Sequence, residues 1–237
     1  MLSCTNSKTE KDIQNEPSKE MTLEELVVRH VEADLEIPHD EKFTYEIHKE
    51  YLNNDSLIDA VITVNRLDFA LEEARLSGNA AKKAEIGFSG RYNYVFYYDG
   101  ISKKITPSIS IASSPHAKLK VRFQPIINEF KNDVIIDYVI RNARFRNYYT
   151  IINNAPKLIF QWNVYDFLGE EKEVANFITY DKGSYSDAQD ILIFDGKITN
   201  NKSIEDIYNF EPKIESNEKL IHRFFYLEKE GKYFTNK

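Results

Sequence analysis

The sequence predicts a mainly β protein of the α+β class, either an antiparallel β-sandwich or an open barrel-like sheet with two or three peripheral helices. Apolar and polar residues alternate with period two along most of the chain, and only two stretches show convincing helical spacing. Turn sequences such as Asp99-Gly100 separate the alternating segments. A twisted sheet of about ten strands would curl or split into two packed layers.

Two helices are expected in the first third of the chain. The first begins after Met21, where Thr22 and Glu25 have the spacing of a capping box and apolar residues then recur at helical intervals. The second is expected over residues 66–83, with an interruption at Ser77-Gly78-Asn79, because glycine weakens a helix interior.

The remaining ordered segments are predicted strands, most of them with one apolar face. They are expected near residues 43–48, 58–64, 92–98, 101–105, 118–123, 133–141, 143–152, 157–167, 174–181 and 190–195. The last of these is expected to stop at Asp195-Gly196. A short helix is expected to open at Ser203 and Asp206, and a hairpin around Gly231 closes the chain.

Composition limits the classes of function. The 237 residues are 42% hydrophobic and include 15 Tyr and 15 Phe, enough for a packed core. A net charge of −7 argues against a general nucleic-acid binder, which needs a basic surface. No apolar run approaches the length of a membrane-spanning helix. The single cysteine excludes disulfide frameworks and multi-cysteine metal sites.

That cysteine lies at the start of a polar segment. Leu2-Ser3-Cys4 precedes a Lys-, Glu-, Asn- and Ser-rich stretch, so we expect a flexible tether over residues 1–20 and a single globular domain over residues 21–237. Leu2-Ser3-Cys4 resembles the end of a bacterial lipobox, and the Lys-, Asn-, Ile- and Tyr-rich composition resembles that of Bacteroidota. The resemblance implies an envelope lipoprotein, anchored through lipid on Cys4 and facing the periplasm or the cell surface, with the outer membrane expected. The alternative is a cytosolic protein with an incidental cysteine.

Residues 51–59 form the most suggestive motif. Asn and Asp recur through this segment before an apolar run, and it resembles the calcium loop of extracellular FG-GAP-type repeats. The resemblance places Asn53, Asp55 and Asp59 at oxygen-ligand positions, although Tyr51 stands at the first ligand position and Ser56 where glycine is usual. These departures favour the alternative, a calcium-free turn whose Asn and Asp side chains bond their own backbone. Apart from this possible calcium, no cofactor is expected.

A second candidate site is a group of arginines, of which Arg144 and Arg146 share one face of a predicted strand with Tyr148. A row of guanidinium groups followed by an aromatic side chain is suited to bind an anionic sugar, a phosphate or an acidic partner surface. They could join the basic residues Lys118, Lys120 and Arg122 if the two strands are neighbours. The alternative is a solvated sheet face with cross-strand ion pairs. The candidate residues are Arg141, Arg144, Arg146 and Tyr148.

Signatures of catalysis are mostly absent from the sequence, although a carboxylate pair of the glycosidase kind would leave no sequence spacing to recognise. The sequence contains no G-x-G-x-x-G, no Walker loop and no H-E-x-x-H, and Gly87-Phe88-Ser89-Gly90 departs from a nucleophile elbow. We therefore expect a non-catalytic envelope lipoprotein, an accessory or structural subunit that binds a membrane-protein partner. The alternative is a periplasmic or cell-surface module that binds a ligand such as a carbohydrate, and a hydrolase ranks third.

Overall fold

The protein is built from two antiparallel sheets. The computed structural model describes residues 21–78, 90–201 and 204–235, which form two helices and thirteen strands. A five-stranded and an eight-stranded sheet pack together, and neither closes into a barrel. The predicted mainly β, α+β sandwich-like class is confirmed. The predicted tether with Cys4 lies outside the described residues.

The elements follow the chain with few long connections. The helices are α1 (Leu23–Asp34) and α2 (Leu67–Leu76). The smaller sheet contains β1 (Thr44–Glu50), β2 (Asp59–Asn65), β3 (Gly90–Asp99), β4 (Lys104–Ile105) and β5 (Ile109–Ser113). The larger sheet contains β6 (Lys120–Gln124), β7 (Asp133–Ile140), β8 (Ala143–Ile152), β9 (Ala155–Asp166), β10 (Val174–Asp181), β11 (Asp190–Ile198), β12 (Ile214–Leu227) and β13 (Lys232–Thr235), hydrogen-bonded in that order.

Helix α1 begins with the capping box that the sequence predicts. The Thr22 hydroxyl accepts a hydrogen bond from the Glu25 backbone N–H at 3.2 Å, and the Glu25 carboxylate accepts one from the Thr22 N–H at 2.8 Å. These bonds satisfy N–H groups that a helix start leaves without partners. Val27 and Val31 on the apolar face pack against Phe96 of β3. The helix therefore covers the outer face of the smaller sheet.

The smaller sheet is buried on both faces, as the alternation of side chains in its strands requires. Val61 of β2 and Tyr97 of β3 point towards the larger sheet and pack with Ile136 of β7. Their neighbours in sequence, Ile62 and Phe96, point the other way, towards α1. Because successive residues of a strand face opposite sides, a single strand contributes to two cores.

The larger sheet curls strongly. The rings of Phe160 in β9 and Tyr233 in β13 lie 5.6 Å apart between centroids, although four strand spacings in a flat sheet would separate them by roughly 19 Å. Strand β10 pairs with β9 at only two positions, Val174 and Ala175, so the sheet opens beyond them. The inside of the curl holds the second core, and it opens to solvent near the ends of β6, β8 and β10.

Three strands begin with a buried aspartate that holds the preceding loop. Each carboxylate accepts a hydrogen bond from the backbone N–H of a residue six or seven positions earlier, which gives a loop donor a partner. The pairs are Asp59 with Leu52 (3.3 Å), Asp133 with Ile126 (3.0 Å), and Asp190 with Ser184 (3.2 Å). The loops before β2, β7 and β11 are therefore each held by hydrogen bonds to the aspartate at the start of the following strand.

Several predicted boundaries differ from the structure. Strand β11 runs through Gly196 to Ile198 because a bulge against β12 absorbs the irregularity, and a Cβ at Gly196 would lie only 2.8 Å from Ile214. The short helix predicted to open at Ser203 and Asp206 does not form in the described residues, since 204–206 are irregular and a turn follows at 207–209, where the Asp206 carboxylate accepts from the Tyr208 N–H. Strand β5 was not predicted, since its five residues are mostly Ser, Ala and Ile between prolines.

The second predicted helix is shorter in the described residues. Helix α2 ends at Leu76, and Gly78 has a φ of +64°, a conformation that glycine adopts readily. This agrees with the predicted interruption at Ser77 and Gly78, while Asn79 lies outside the described residues. The predicted continuation to residue 83 lies outside the described residues. Neither α1 nor α2 has the length and hydropathy needed to span a bilayer.

Candidate functional site

Four connections meet at one end of the sandwich. The backbone N–H of Asn132 donates to the carbonyl of Tyr51 at 3.3 Å, and the Asn154 amide donates to the Asp99 carboxylate at 3.4 Å. These contacts join loops from both sheets into one surface. We call it the loop end, and it consists of residues 51–58, 99–103, 125–132 and 153–154.

Asp59 is the anchor beneath the loop end. Its side chain is fully buried and accepts from the backbone N–H of Leu52 (3.3 Å) and Gly100 (3.0 Å) and from the Asn53 amide (3.4 Å). A Cβ at Gly100 would lie 2.5 Å from the carbonyl oxygen of Ile58, so only glycine fits this close approach. Asp59 thus ties the connection before β2 to the connection after β3.

Three carboxylates gather at this anchor. One oxygen each from Asp55, Asp59 and Asp99 lies within 4.8 Å of the others. Burial raises the pKa of Asp59, backbone hydrogen bonds oppose that shift, and the neighbouring charge of Asp55 adds to it. Asp99 is 3% exposed, and its Oδ1 is buried without a hydrogen-bond partner among the described residues. The arrangement concentrates negative charge and could supply part of an oxygen-ligand set for a divalent cation.

The predicted calcium ligands separate into two groups. Asp55 and Asp59 belong to the carboxylate cluster, and Asp99, which the sequence did not suggest, joins them from β3. The Asn53 amide is used within the turn instead, accepting from the Asp55 N–H at 2.8 Å and donating to Tyr97 at 3.3 Å. The turn bonds expected of a calcium-free loop are therefore present, and calcium binding stays a prediction.

The loop end exposes large apolar side chains among its polar residues. Five large hydrophobic side chains stand on its loops, and Phe130 and Ile101 are 83% and 60% exposed. A cleft of about 820 Å³ runs between the 51–56 and 125–132 segments, with Glu50, Asp55 and Glu129 in its lining. We call the five side chains the apolar rim: Tyr51, Leu57, Ile58, Ile101 and Phe130.

The two predicted basic strands, β6 and β8, are not neighbours in the larger sheet, because β7 lies between them and pairs with both. Lys120 of β6 is opposite Asp137 of β7, which is opposite Arg146 of β8. They line a pocket of about 510 Å³ that opens from the inside of the curl. We call it the cationic pocket, and its charged lining consists of Lys120, Arg122, Asp137, Arg144, Arg146 and Glu211.

Asp137 organises the floor of the cationic pocket. Arg146 donates to both of its oxygens, from Nε at 2.7 Å and from an Nη at 2.9 Å, and Arg122 donates to it at 2.9 Å. Burial alone would lower the pKa of Arg146, but the hydrogen bonds and charge of Asp137 outweigh it and raise that pKa. One buried carboxylate therefore holds two guanidinium groups. These are cross-strand ion pairs, but Asp137 and Arg146 are largely buried, unlike the solvated sheet face of the alternative.

Arg144 forms the wall of the same pocket and is 3% exposed. Its guanidinium donates to the Phe210 carbonyl at 2.6 Å and to the Glu211 carboxylate at 3.0 Å, and it lies over the Tyr165 ring. Lys120 forms an ion pair with the same carboxylate. Burial, and next the charge of Arg144, lower the pKa of Lys120. Two cations thus share one largely exposed carboxylate.

The other predicted residues of this site lie elsewhere. Tyr148 is fully buried in the core inside the curl, where its hydroxyl lies 3.0 Å from that of Tyr180. Arg141 occupies the turn between β7 and β8 with a φ of +55°. Lys118 pairs with Glu46 of β1 at 2.7 Å. Of the four predicted residues, Arg144 and Arg146 line the pocket.

Comparison of the chain with protein-family models, with curated proteins and with solved structures finds no match. The interpretation of the two surfaces therefore rests on their geometry and charge.

Important residues of both surfaces were missed in the sequence. Asp99 lies 40 positions after Asp59, and only the pairing of β2 with β3 brings them together. Glu211 reaches Arg144 across 67 positions. Asp137 did have a signal, since it is an acidic residue in the middle of an apolar strand that precedes a strand with alternating arginines.

Proposed function

We propose that this chain is a non-catalytic binding protein that docks a partner protein through its loop end. The apolar rim carries this proposal. Exposed apolar side chains that group on one surface favour an interaction site, and exposed aromatic side chains are frequent binding hot spots. Phe130 and Ile101, the most exposed members, stand on different loops of one surface.

The loops that carry the rim are held in place before any partner arrives. Asp59 fixes the 51–58 segment to Gly100, and Asp133 accepts from the backbone N–H groups of Ile126 and Ile127 at 3.0 and 2.7 Å. Fixed loops lose little conformational entropy on binding, which favours affinity. The rim therefore resembles a prepared contact surface.

The charges around the rim indicate the chemistry of the partner. Glu50, Asp55 and Glu129 line the cleft beside Phe130, while the Lys131 ammonium donates to the Ile151 carbonyl at 2.8 Å. Carboxylates outnumber cations in this lining, so a complementary surface would be apolar and flanked by Lys or Arg. We assign that surface to an envelope membrane protein, because the lipobox resemblance at Leu2-Ser3-Cys4 suggests a lipid anchor.

Affinity capture with matched variants tests the docking surface. The tagged protein, expressed in its own cells and extracted in mild detergent, should bring down one membrane protein in stoichiometric amount. A variant carrying Phe130→Ser and Ile101→Ser should lose it. Leu76→Ser is the control, since Leu76 is 70% exposed at the end of α2, away from the loop end. Capture that survives the double change, or a chain that comes down alone, would overturn the proposal.

The lipid anchor is tested separately. A tether of about sixteen residues after Cys4 would let the body reach on the order of 20–25 Å from a membrane. We expect Cys4→Ser to move the natively expressed protein from the membrane fraction to the soluble fraction, while Ser3→Ala leaves it in place. Unchanged fractionation of the Cys4 variant would contradict the envelope lipoprotein assignment.

A further inference from the structure

The cationic pocket is a positive site on a negative protein. Four cationic side chains and two carboxylates line it, an excess of two positive charges, whereas the whole chain carries −7. Its walls also include apolar side chains of β9 and β10, among them Val164 and Ile178. A concave site that combines apolar walls with a few converging charges is the usual form of a small-ligand site.

The charges of the pocket are unevenly satisfied. On the floor, the buried Asp137 carboxylate satisfies Arg146 at both oxygens. On the wall, Arg144 is as well buried but shares the Glu211 carboxylate with Lys120, and the Glu211 side chain is 63% exposed. A buried guanidinium gains most from a fully formed charge-assisted bond. At the wall, Arg144 and Lys120 could therefore form additional charge-assisted hydrogen bonds with the oxyanion of a ligand.

The main chain at Glu211 is held by contacts that do not involve its carboxylate. Its backbone carbonyl accepts from the Asn200 amide at 2.8 Å, and the Asn200 side chain also accepts from the Lys213 N–H at 2.8 Å. The main chain is thus anchored while the carboxylate extends into the pocket mouth. The Glu211 carboxylate occupies the position that an oxyanion of a ligand would take between Arg144 and Lys120.

We propose that the cationic pocket binds a small organic oxyanion, with Arg144 and Lys120 as the anion-binding pair and the Glu211 carboxylate as a built-in competitor. The volume of about 510 Å³ suits a ligand of sugar size. A carboxylate and a phosphate ester share the required chemistry, so a uronic acid and a sugar phosphate are both suitable. This site is separate from the loop end, and it can be tested whatever docks there.

Titration calorimetry at low ionic strength tests the proposal with four probes: inorganic phosphate, glucuronate, glucose 6-phosphate and glucose. At least one of the three anions should bind and glucose should not; comparing glucuronate with glucose 6-phosphate distinguishes a carboxylate from a phosphate ligand. Glu211→Gln should tighten anion binding by about tenfold, because it removes the competitor while its backbone bonds stay. Lys120→Gln should weaken binding by a similar factor.

Two variants close to Glu211 in the sequence serve as controls. Glu215 and Lys213 form an exposed ion pair at 3.2 Å outside the pocket, so Glu215→Gln and Lys213→Gln remove the same charges without touching it. Both should leave anion affinity unchanged. The proposal is overturned if Glu211→Gln and Glu215→Gln have equal effects, if glucose binds as well as the anions, or if no anion binds either the parent or Glu211→Gln. Binding of an acidic peptide but of no small anion would also overturn it.

Discussion

The loop end and the cationic pocket lie towards opposite ends of β6, β7 and β8. They differ in the partners that stabilise their buried carboxylates. At the loop end, buried carboxylates have backbone N–H groups as partners, and Asp55, Asp59 and Asp99 repel one another. In the pocket, a buried carboxylate has two guanidinium groups as partners. Negative charge is therefore a cost to stability at the loop end and a requirement in the pocket.

The largest expected effect comes from removing the charge that the pocket requires. Asp137→Asn leaves Arg146 buried without its carboxylate, and breaking a buried pair in this way costs about 3–5 kcal/mol of unfolding free energy. Asp181→Asn is the control, because Asp181 pairs with Arg223 at the surface at 3.3 Å and should lose less than about 1 kcal/mol. Urea denaturation measures both. Equal losses in the two variants would mean that burial does not distinguish the pairs.

The pH dependence of stability tests whether the negative charge of Asp59 destabilises the folded protein, in contrast to the charge of Asp137. Burial raises the pKa of Asp59 in the folded protein above its ordinary value of 3.8. Its favourable contribution is therefore complete below pH 3.8, where the carboxyl is protonated in both states, and is lost as pH rises through the folded pKa. We expect the stability of the parent relative to Asp59→Asn to fall with rising pH. Urea denaturation of both proteins between pH 4 and pH 7.5 checks this, and a relative stability that rises would contradict it.

The fold class could be predicted from the sequence because strand alternation and helix capping depend on residues that are close together in the chain. Thr22 and Glu25 specify the start of α1 from three positions apart, and the β1–β2 hairpin follows from alternation on both sides of one turn. The curl of the larger sheet was not predictable in the same way. It depends on β9 and β10 pairing at only two positions, and no local pattern encodes that loss of pairing.

The aspartates that hold the loops show where a sequence signal was present but unused. Each begins a strand with an apolar run, Asp-Ala-Val-Ile at 59–62, Asp-Val-Ile-Ile at 133–136 and Asp-Ile-Leu-Ile at 190–193. An aspartate that precedes such a run must be buried with its strand, and a buried carboxylate needs donors. The calcium-loop resemblance explained only the first of the three, whereas a common structural role explains all of them.

Bound calcium would replace the repulsion among the carboxylates at the loop end with attraction to the cation. In a chelator, Asp55→Asn should raise stability by about 0.5 kcal/mol, since it relieves repulsion while keeping the oxygen that accepts from the Leu57 N–H. If the carboxylates bind calcium, millimolar calcium should raise the melting temperature of the parent and raise that of the variant less. Thermal unfolding with and without calcium measures both effects. A melting temperature that calcium leaves unchanged in both proteins would show that the calcium prediction is wrong.

The smallest expected effect concerns the apolar rim, where the difference between folding and binding is sharpest. Phe130 is 83% exposed, so Phe130→Ser should change the unfolding free energy by no more than about 0.5 kcal/mol. Phe160→Ala, in the core inside the curl, should cost about 3–5 kcal/mol. Urea denaturation of the two variants makes the comparison. A loss above about 1 kcal/mol for Phe130→Ser would mean that this ring stabilises the fold. The docking proposal would then lose its main support, because a side chain that packs within its own protein is not available to pack against a partner.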